Sequence, residues 1–295
     1  MTRRRKAQLR RWAVYALSVA LVAFVALNAD WATLQQTFFD PEIFADLFPD
    51  IVTLAAKNTI LLALMAFSGG LVLGLVLALM RLSSIGPYRW AALAYIEFFR
   101  GIPAILTLIL VGFVLPIALD VSMRDLLPVL GNYAAPVVGL SIVASAYLAE
   151  TIRGGIEAVP KGQMEAARSL GMSRGQAMRS IVVPQAFRVM IPPLTNEFVL
   201  LIKDTSLIFV LGVAAADRDL AFFSRAAVQD TFNGTPFIAA ALLYLAITIP
   251  LTALSRRLER RGAGSSRRQL RRPSDPAPAP AVTAPATSND QVWDG

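Results

Sequence analysis

The chain has 295 residues, of which 56% are apolar and only 16% charged, against about a quarter charged in soluble domains. With no cysteine and no histidine, it is closed to disulfides, thiol catalysis, zinc and haem ligation through those residues, His-based triads and imidazole relays. Its net charge of +8 rests on 24 arginines and 4 lysines, a balance that suggests nucleic acid in a soluble chain but is distributed here in a different way.

Residues 1–11 carry six positive charges and no negative one, and residues 12–29 carry none at all. That uncharged run of 18 residues is about the minimum for a helix crossing a ~30 Å hydrocarbon core. No small-x-small cleavage site follows Leu27, so the run is expected to remain as a first span. Residues 28–50 hold Asp30, Asp40, Glu42, Asp46 and Asp50 without Lys or Arg.

A second apolar run extends from Asn58 to Met80. Gly70 and Gly74 in it are spaced for close helix packing in lipid. After the polar turn Arg81–Arg89 comes a third run, Trp90–Leu119, whose length of about 45 Å as a helix is too great for one straight crossing. A break is expected at Gly101/Pro103, with an interfacial helix before it and a span after it. The fourth run is Ala134–Ile152, the fifth Val189–Ala216 and the sixth Pro236–Leu254. Beyond Ser255 stand eight arginines and then a Pro/Ala-rich stretch whose composition buries no core, so that the tail is expected to be disordered.

The loops alternate in charge. Segments 1–11, 81–89, 153–188 and 255–295 together hold 22 Lys and Arg, whereas 28–50, 120–133 and 214–233 hold 3. Positive charge accumulates on the cytoplasmic side, so the chain is expected to have six spans with both termini in the cytoplasm of a bacterial cell. The arginines then face anionic lipid rather than nucleic acid. Three regions follow: residues 1–50, a core of 51–255, and a tail of 256–295.

The long inside loop 154–188 has the chemistry of two short helices. Pro160 suits the first turn of one and Gly171 its left-handed cap. Ser173 and Gln176 form a capping-box pattern opening the second, which Pro184 should limit. Such a loop could dock on a soluble partner or lie as an amphipathic pair on lipid.

Within the loop, Glu165-Ala166-Ala167, Gly171, Ile181 and Pro184 stand at the spacing of the EAA loop of ABC-importer permeases, with Val183 where Leu is usual. The segments Glu97–Pro103, Ala146–Ile156 and Lys203–Leu207 resemble the polar amino acid uptake subfamily, and the resemblance covers about residues 50–255. It implies an all-α integral membrane protein with six transmembrane helices, the type I ABC-importer permease fold and a cytoplasmic EAA coupling loop. It also implies a second permease subunit, an ATPase dimer docked on the EAA loops, an extracellular solute-binding protein and a polar amino acid as substrate. Glu165 would accept hydrogen bonds from the ATPase, and Ala166 and Ala167 would let the helix lie deep in its groove. ATP and Mg would belong to that partner. None of the residues before Lys6, Lys57, Lys161 and Lys203 is glycine, so the chain has no Walker A motif and no cofactor of its own is expected.

Charged residues at membrane depth are functional candidates. Glu97 with Arg100, and Glu150 with Arg153, are i,i+3 neighbours suited to ion pairs with structural or coupling roles. Glu197 has no Lys or Arg within four residues. Asn196, Glu197, Lys203, Asp204, Thr205 and Ser206 offer donors and acceptors for both ends of an amino acid, or for helix–helix hydrogen bonds. An importer of another small polar solute remains open. A stand-alone carrier would show repeated halves with interrupted helices, which are not seen, and a serine hydrolase would need a histidine beside its Gly-x-Ser-x-Gly motif; Gly171-Met172-Ser173-Arg174-Gly175 has that pattern, but the chain contains no histidine.

Overall fold

The computed structural model describes residues 3–269, and every regular element among them is helical. Helix α1, Arg3–Asn28, is followed by two short helices, α2 (Trp31–Phe38) and α3 (Pro41–Asp46). The sequence reads as an acidic loop here, but Asp30 and Asp40 accept hydrogen bonds from first-turn backbone N–H groups and so cap both helices. This segment is tied to the end of the chain's last turn. Gly234 N–H donates to Thr37 O at 2.7 Å, Asn233 Nδ2 to Gln36 O at 2.7 Å, and Asp40 N–H to Thr235 Oγ1 at 2.9 Å. Helix α1 itself lies off the core, and no part of its apolar window is buried.

A π-helical turn, Ile51–Ala56, leads without a break into α4 (Lys57–Leu82). Then comes α5 (Gly86–Gly101), and the chain turns through 109° before continuing as α6 (Ala104–Ile109). The expected break at Gly101/Pro103 is therefore present: Ile102 is extended, and Pro103 stands just before the new helix. A π turn at Leu110–Val114, α7 (Leu115–Leu119) and α8 (Met123–Leu126) complete that arm.

Helix α9 spans Ala134–Glu157, five residues past the expected end at Ile152. The Gly154-Gly155 pair does not stop it, because Gly155 is where Met190 packs against the helix. Helices α4 and α9 form the central pair. A Cβ at Gly74 would stand 3.0 Å from Leu148 Cβ, 3.0 Å from Ser145 O and 3.1 Å from Ala149 N; at Gly70 it would meet Ala144 Cβ at 2.9 Å. Lipid gives little hydrophobic drive between helices, so backbone contact of this kind supplies the attraction.

Helices α10 (Lys161–Ser169) and α11 (Arg174–Ala177) make the loop. Helix α12, Val183–Asp204, follows, continued by a 3₁₀ stretch, Thr205–Leu211. The last two are α13 (Leu220–Thr231) and α14 (Thr235–Gln269). The backbone of the arginine stretch after Ser255 thus continues as helix to Gln269, and the Pro/Ala-rich tail lies outside the described residues.

Among the described residues, four helices are long and apolar enough to cross a membrane, and the bent pair Gly86–Gly101 and Ala104–Leu119, taken as one span, makes five. The fifth expected span is not among them. Its α-helix starts at Val183 and stops at Asp204, so Lys203 and Asp204 stand where the winding changes to 3₁₀.

Side chains from α4, α5, α9 and α12 pack into one cluster at the loop end of the bundle, with Leu77, Ile96, Ile152 and Met190 at its centre. Leu62, Leu108, Leu140 and Ile208 form a second at mid-depth.

Candidate functional site: the loop between α9 and α12 and the polar helix α12

Local chemistry sets the shape of the loop. Pro160 stands at the N-cap of α10, where its missing N–H costs nothing. At the other end Met172 N–H donates to Ala167 O (3.2 Å) and Gly171 N–H to Arg168 O (3.0 Å). These two bonds make a Schellman motif, and Gly171 has the φ of +87° that the motif needs. Ser173 then caps α11 reciprocally: Gln176 N–H donates to Ser173 Oγ at 3.3 Å, and Ser173 N–H to Gln176 Oε1 at 2.9 Å.

Pro184 does not end this second helix. Helix α11 passes through a π turn, Met178–Val182, directly into α12, with Pro184 in its first turn. A wider π turn shifts the carbonyls, so the proline ring meets no α-helical partner at Ser180.

Glu165, Ala166, Gly171 and Pro184 are exposed, and Ile181 is half-buried. Ala167 is the buried residue of α10. It is therefore not part of the outward face, contrary to its expected role beside Ala166; a rotation of 100° per residue separates the two. The outward face instead includes Leu170, 85% exposed, one turn beyond Ala166. Its i+4 spacing from Ala166 was the available signal. A shallow groove of about 440 Å³ runs beside α10, lined by Ile156, Pro160, Met164 and Val182 among others.

One expected ion pair forms and one does not. Arg153 holds Glu150 through Nε (3.1 Å) and Nη2 (2.7 Å), and reaches Glu157 through Nη1 at 2.5 Å. Arg81, at the end of α4, stands 3.8 Å from the same Glu150 carboxylate. Glu97 is exposed and makes no ion pair among the described residues. Its expected partner Arg100 instead lies over the ring of Tyr147, 5.5 Å from the centroid. Loss of the helix at Gly101 leaves Arg100 free to turn toward α9.

The polar residues of α12 fall into separate rows. Asn196 and Lys203, seven apart, are both exposed, whereas Glu197 and Asp204, also seven apart, are half-buried. Thr205 is fully buried and donates to Ile202 O at 2.8 Å, which uses its hydroxyl internally. Ser206 is half-buried.

Residues 70–263 match the family described as the binding-protein-dependent transport system inner membrane component. The chain belongs to this family. It is a transport permease of the membrane. It is 41% identical over 209 residues to the Bacillus subtilis protein GlnM, named a "Probable glutamine ABC transporter permease protein", covering 69% of this chain and 89% of GlnM. It is 34% identical over 276 residues to ArgU, an arginine transport system permease protein of Corynebacterium glutamicum, covering 88% and 82% of the two chains. The crystal structure of an amino acid ABC transporter with histidines is similar with a TM-score of 0.66 and 34% identity, covering 75% of this permease and 98% of that chain.

At the end of the permease bundle away from the loop lies a polar strap that the sequence reading missed. Asn58 Nδ2 donates to Ala216 O (2.7 Å) and Arg218 O (3.1 Å), and Tyr133 OH donates to Asn58 Oδ1 (3.1 Å). Leu220 N–H donates to Thr59 Oγ1 at 3.0 Å. Asp219 is fully buried; its carboxylate accepts from Ala221 N–H, Phe222 N–H and Tyr244 OH at 3.0–3.1 Å. Burial pushes this carboxyl above the usual carboxylate range, against the pull of those donors. An Asp directly before an apolar helical run was the available signal.

Proposed function

We propose that this permease is the membrane-spanning subunit of an ATP-driven, binding-protein-dependent importer of polar amino acids. The carried solute is glutamine, glutamate or a basic amino acid such as arginine. The observation that carries the reading is the loop between α9 and α12: two capped helices around a left-handed Gly171, with Glu165, Ala166 and Leu170 turned outward. The relatives named for glutamine and arginine transport support the solute class.

In this reading the five apolar spans are joined by a sixth, α12 with its 3₁₀ continuation, and both termini are cytoplasmic. The excess of arginine on one side supports that orientation. Two permeases form the pathway, as two copies or with a related chain. An ATPase dimer binds the loops from the cytoplasm and holds the ATP and Mg; a binding protein delivers solute from outside. ATP-driven closure of the ATPases moves the loops, and the helices rooted in them tilt as rigid bodies. Glu197, Asp204, Asn196, Lys203 and Ser206 lie toward the pathway and meet the ammonium and carboxylate of the solute in passing.

The test is reconstitution of the permease with its ATPase and binding protein, followed by ATP hydrolysis and uptake over a panel of amino acids. Stimulation by glutamine, glutamate or arginine is expected. Stimulation only by a solute of another class would replace the amino acid with that solute. Uptake with no ATPase present would overturn the reading.

A further inference from the structure

Beyond Gly74, the contact between α4 and α9 changes character. The glycine seam fixes the separation of the two axes at mid-helix, but Arg81 lies seven residues, or about 10 Å, further along. There the two helices are linked through one carboxylate. Glu150 accepts Nε and Nη2 of Arg153, four residues before Glu157, to which the same guanidinium donates. Arg81 approaches Glu150 Oε1 from α4, with its Nε buried and without a hydrogen bond. From α5, Arg100 stacks on Tyr147, one turn before Glu150. Arginines of α4 and α9 thus meet at Glu150, and α9 runs unbroken from it to the threshold of α10.

We propose that Glu150 is a positioning residue for the coupling loop. By holding Arg81 and Arg153 together it makes the loop ends of α4 and α9 move as one body when the loop is displaced. This rests on the ATPase-coupled reading above. The side chains of the Arg81, Glu150 and Arg153 set are 21–27% exposed, and ion pairs so open to water add little to fold stability. Their geometry, however, spans a junction that a transmitted displacement must cross.

The experiment uses the assembled complex of permease, ATPase and binding protein in lipid nanodiscs. Glutamine and arginine serve as probes, and Glu150→Gln, Arg81→Gln and Arg81→Lys are compared with the unaltered chain. Complex yield, basal hydrolysis and hydrolysis stimulated by loaded binding protein are read separately. Glu150→Gln and Arg81→Gln are expected to assemble and to keep basal hydrolysis, while stimulation falls roughly fivefold or more. Arg81→Lys, which keeps the charge, is expected to retain most of it. If Glu150→Gln fails to assemble, Arg81→Gln carries the test. Full stimulation in the Gln variants, or equal loss of basal and stimulated hydrolysis, overturns the proposal. An unaltered complex with no stimulation by any solute overturns the ATPase-coupled reading instead.

Discussion

Asn58 and Arg81 stand near opposite ends of α4, and the two ends are held by different chemistry. At the Asn58 end, short side chains bond to backbone: Asn58 to the carbonyls of Ala216 and Arg218, Thr59 to Leu220 N–H, Asp219 to two N–H groups of its own helix. Each such bond fixes one position. At the Arg81 end, long flexible side chains meet around Glu150, with the Arg81 contact as loose as 3.8 Å. Charge attraction falls off slowly with distance, so this end tolerates small shifts that the other does not. The glycine seam between them keeps the helices together in both cases. The difference teaches which end can be displaced as a body: the one beside the loop between α9 and α12, whose link through Glu150 survives small shifts.

The largest break in that comparison comes from the seam. Gly74→Leu pushes a side chain into Ser145 O and Ala149 N, and overpacking of this kind costs about 3 kcal/mol; a lower apparent melting temperature and loss of monodisperse permease are expected. Next is Asn58→Leu, which strands two carbonyls and the Tyr133 hydroxyl, at about 2 kcal/mol; amide exchange in 212–220 should rise while the loop is unaffected. Ser173→Ala removes the loop's capping box for about 1 kcal/mol, read as faster proteolysis between α10 and α11.

The smallest effect is that of Asp219→Asn, which keeps an acceptor for the cap, at about 1 kcal/mol or less. Its signature is in pH. The raised carboxyl binds a proton more readily folded than unfolded, so its contribution to stability is fullest at low pH and is lost as pH rises through the folded value. The melting difference between Asp219 and its Asn variant should therefore shrink or reverse as pH rises.

What was legible in the sequence was whatever local chemistry decides. Gly171 and Ser173-x-x-Gln176 specify their caps within five residues, Gly101 and Pro103 together break the helix between α5 and α6, and Gly70 and Gly74 mark a seam by spacing alone. What tertiary contact decides was hidden. Pro184 is absorbed by a π turn, Ala167 is buried while Ala166 beside it is exposed, and Arg81 finds Glu150 across 69 residues of chain. Asn196, Glu197, Lys203 and Asp204 stand on α12, but the winding changes after Asp204, so Thr205 and Ser206 fall in the 3₁₀ stretch and Thr205 is buried. No periodicity marks that change of winding. The capping of α2, α3 and α13 by Asp30, Asp40 and Asp219 was within reach of the pattern and was masked by the reading of these stretches as loops.

The loop's contact with a nucleotide-hydrolysing partner is tested most directly by a single cysteine. The natural chain contains none, so Glu165→Cys gives one reactive thiol in the assembled complex. A short bifunctional reagent should join it to the ATPase subunit, with joining suppressed when the ATPase is omitted, and an impermeant thiol reagent outside intact cells should leave it unlabelled. Labelling from outside, or no adduct with an ATPase that co-purifies, would contradict the account.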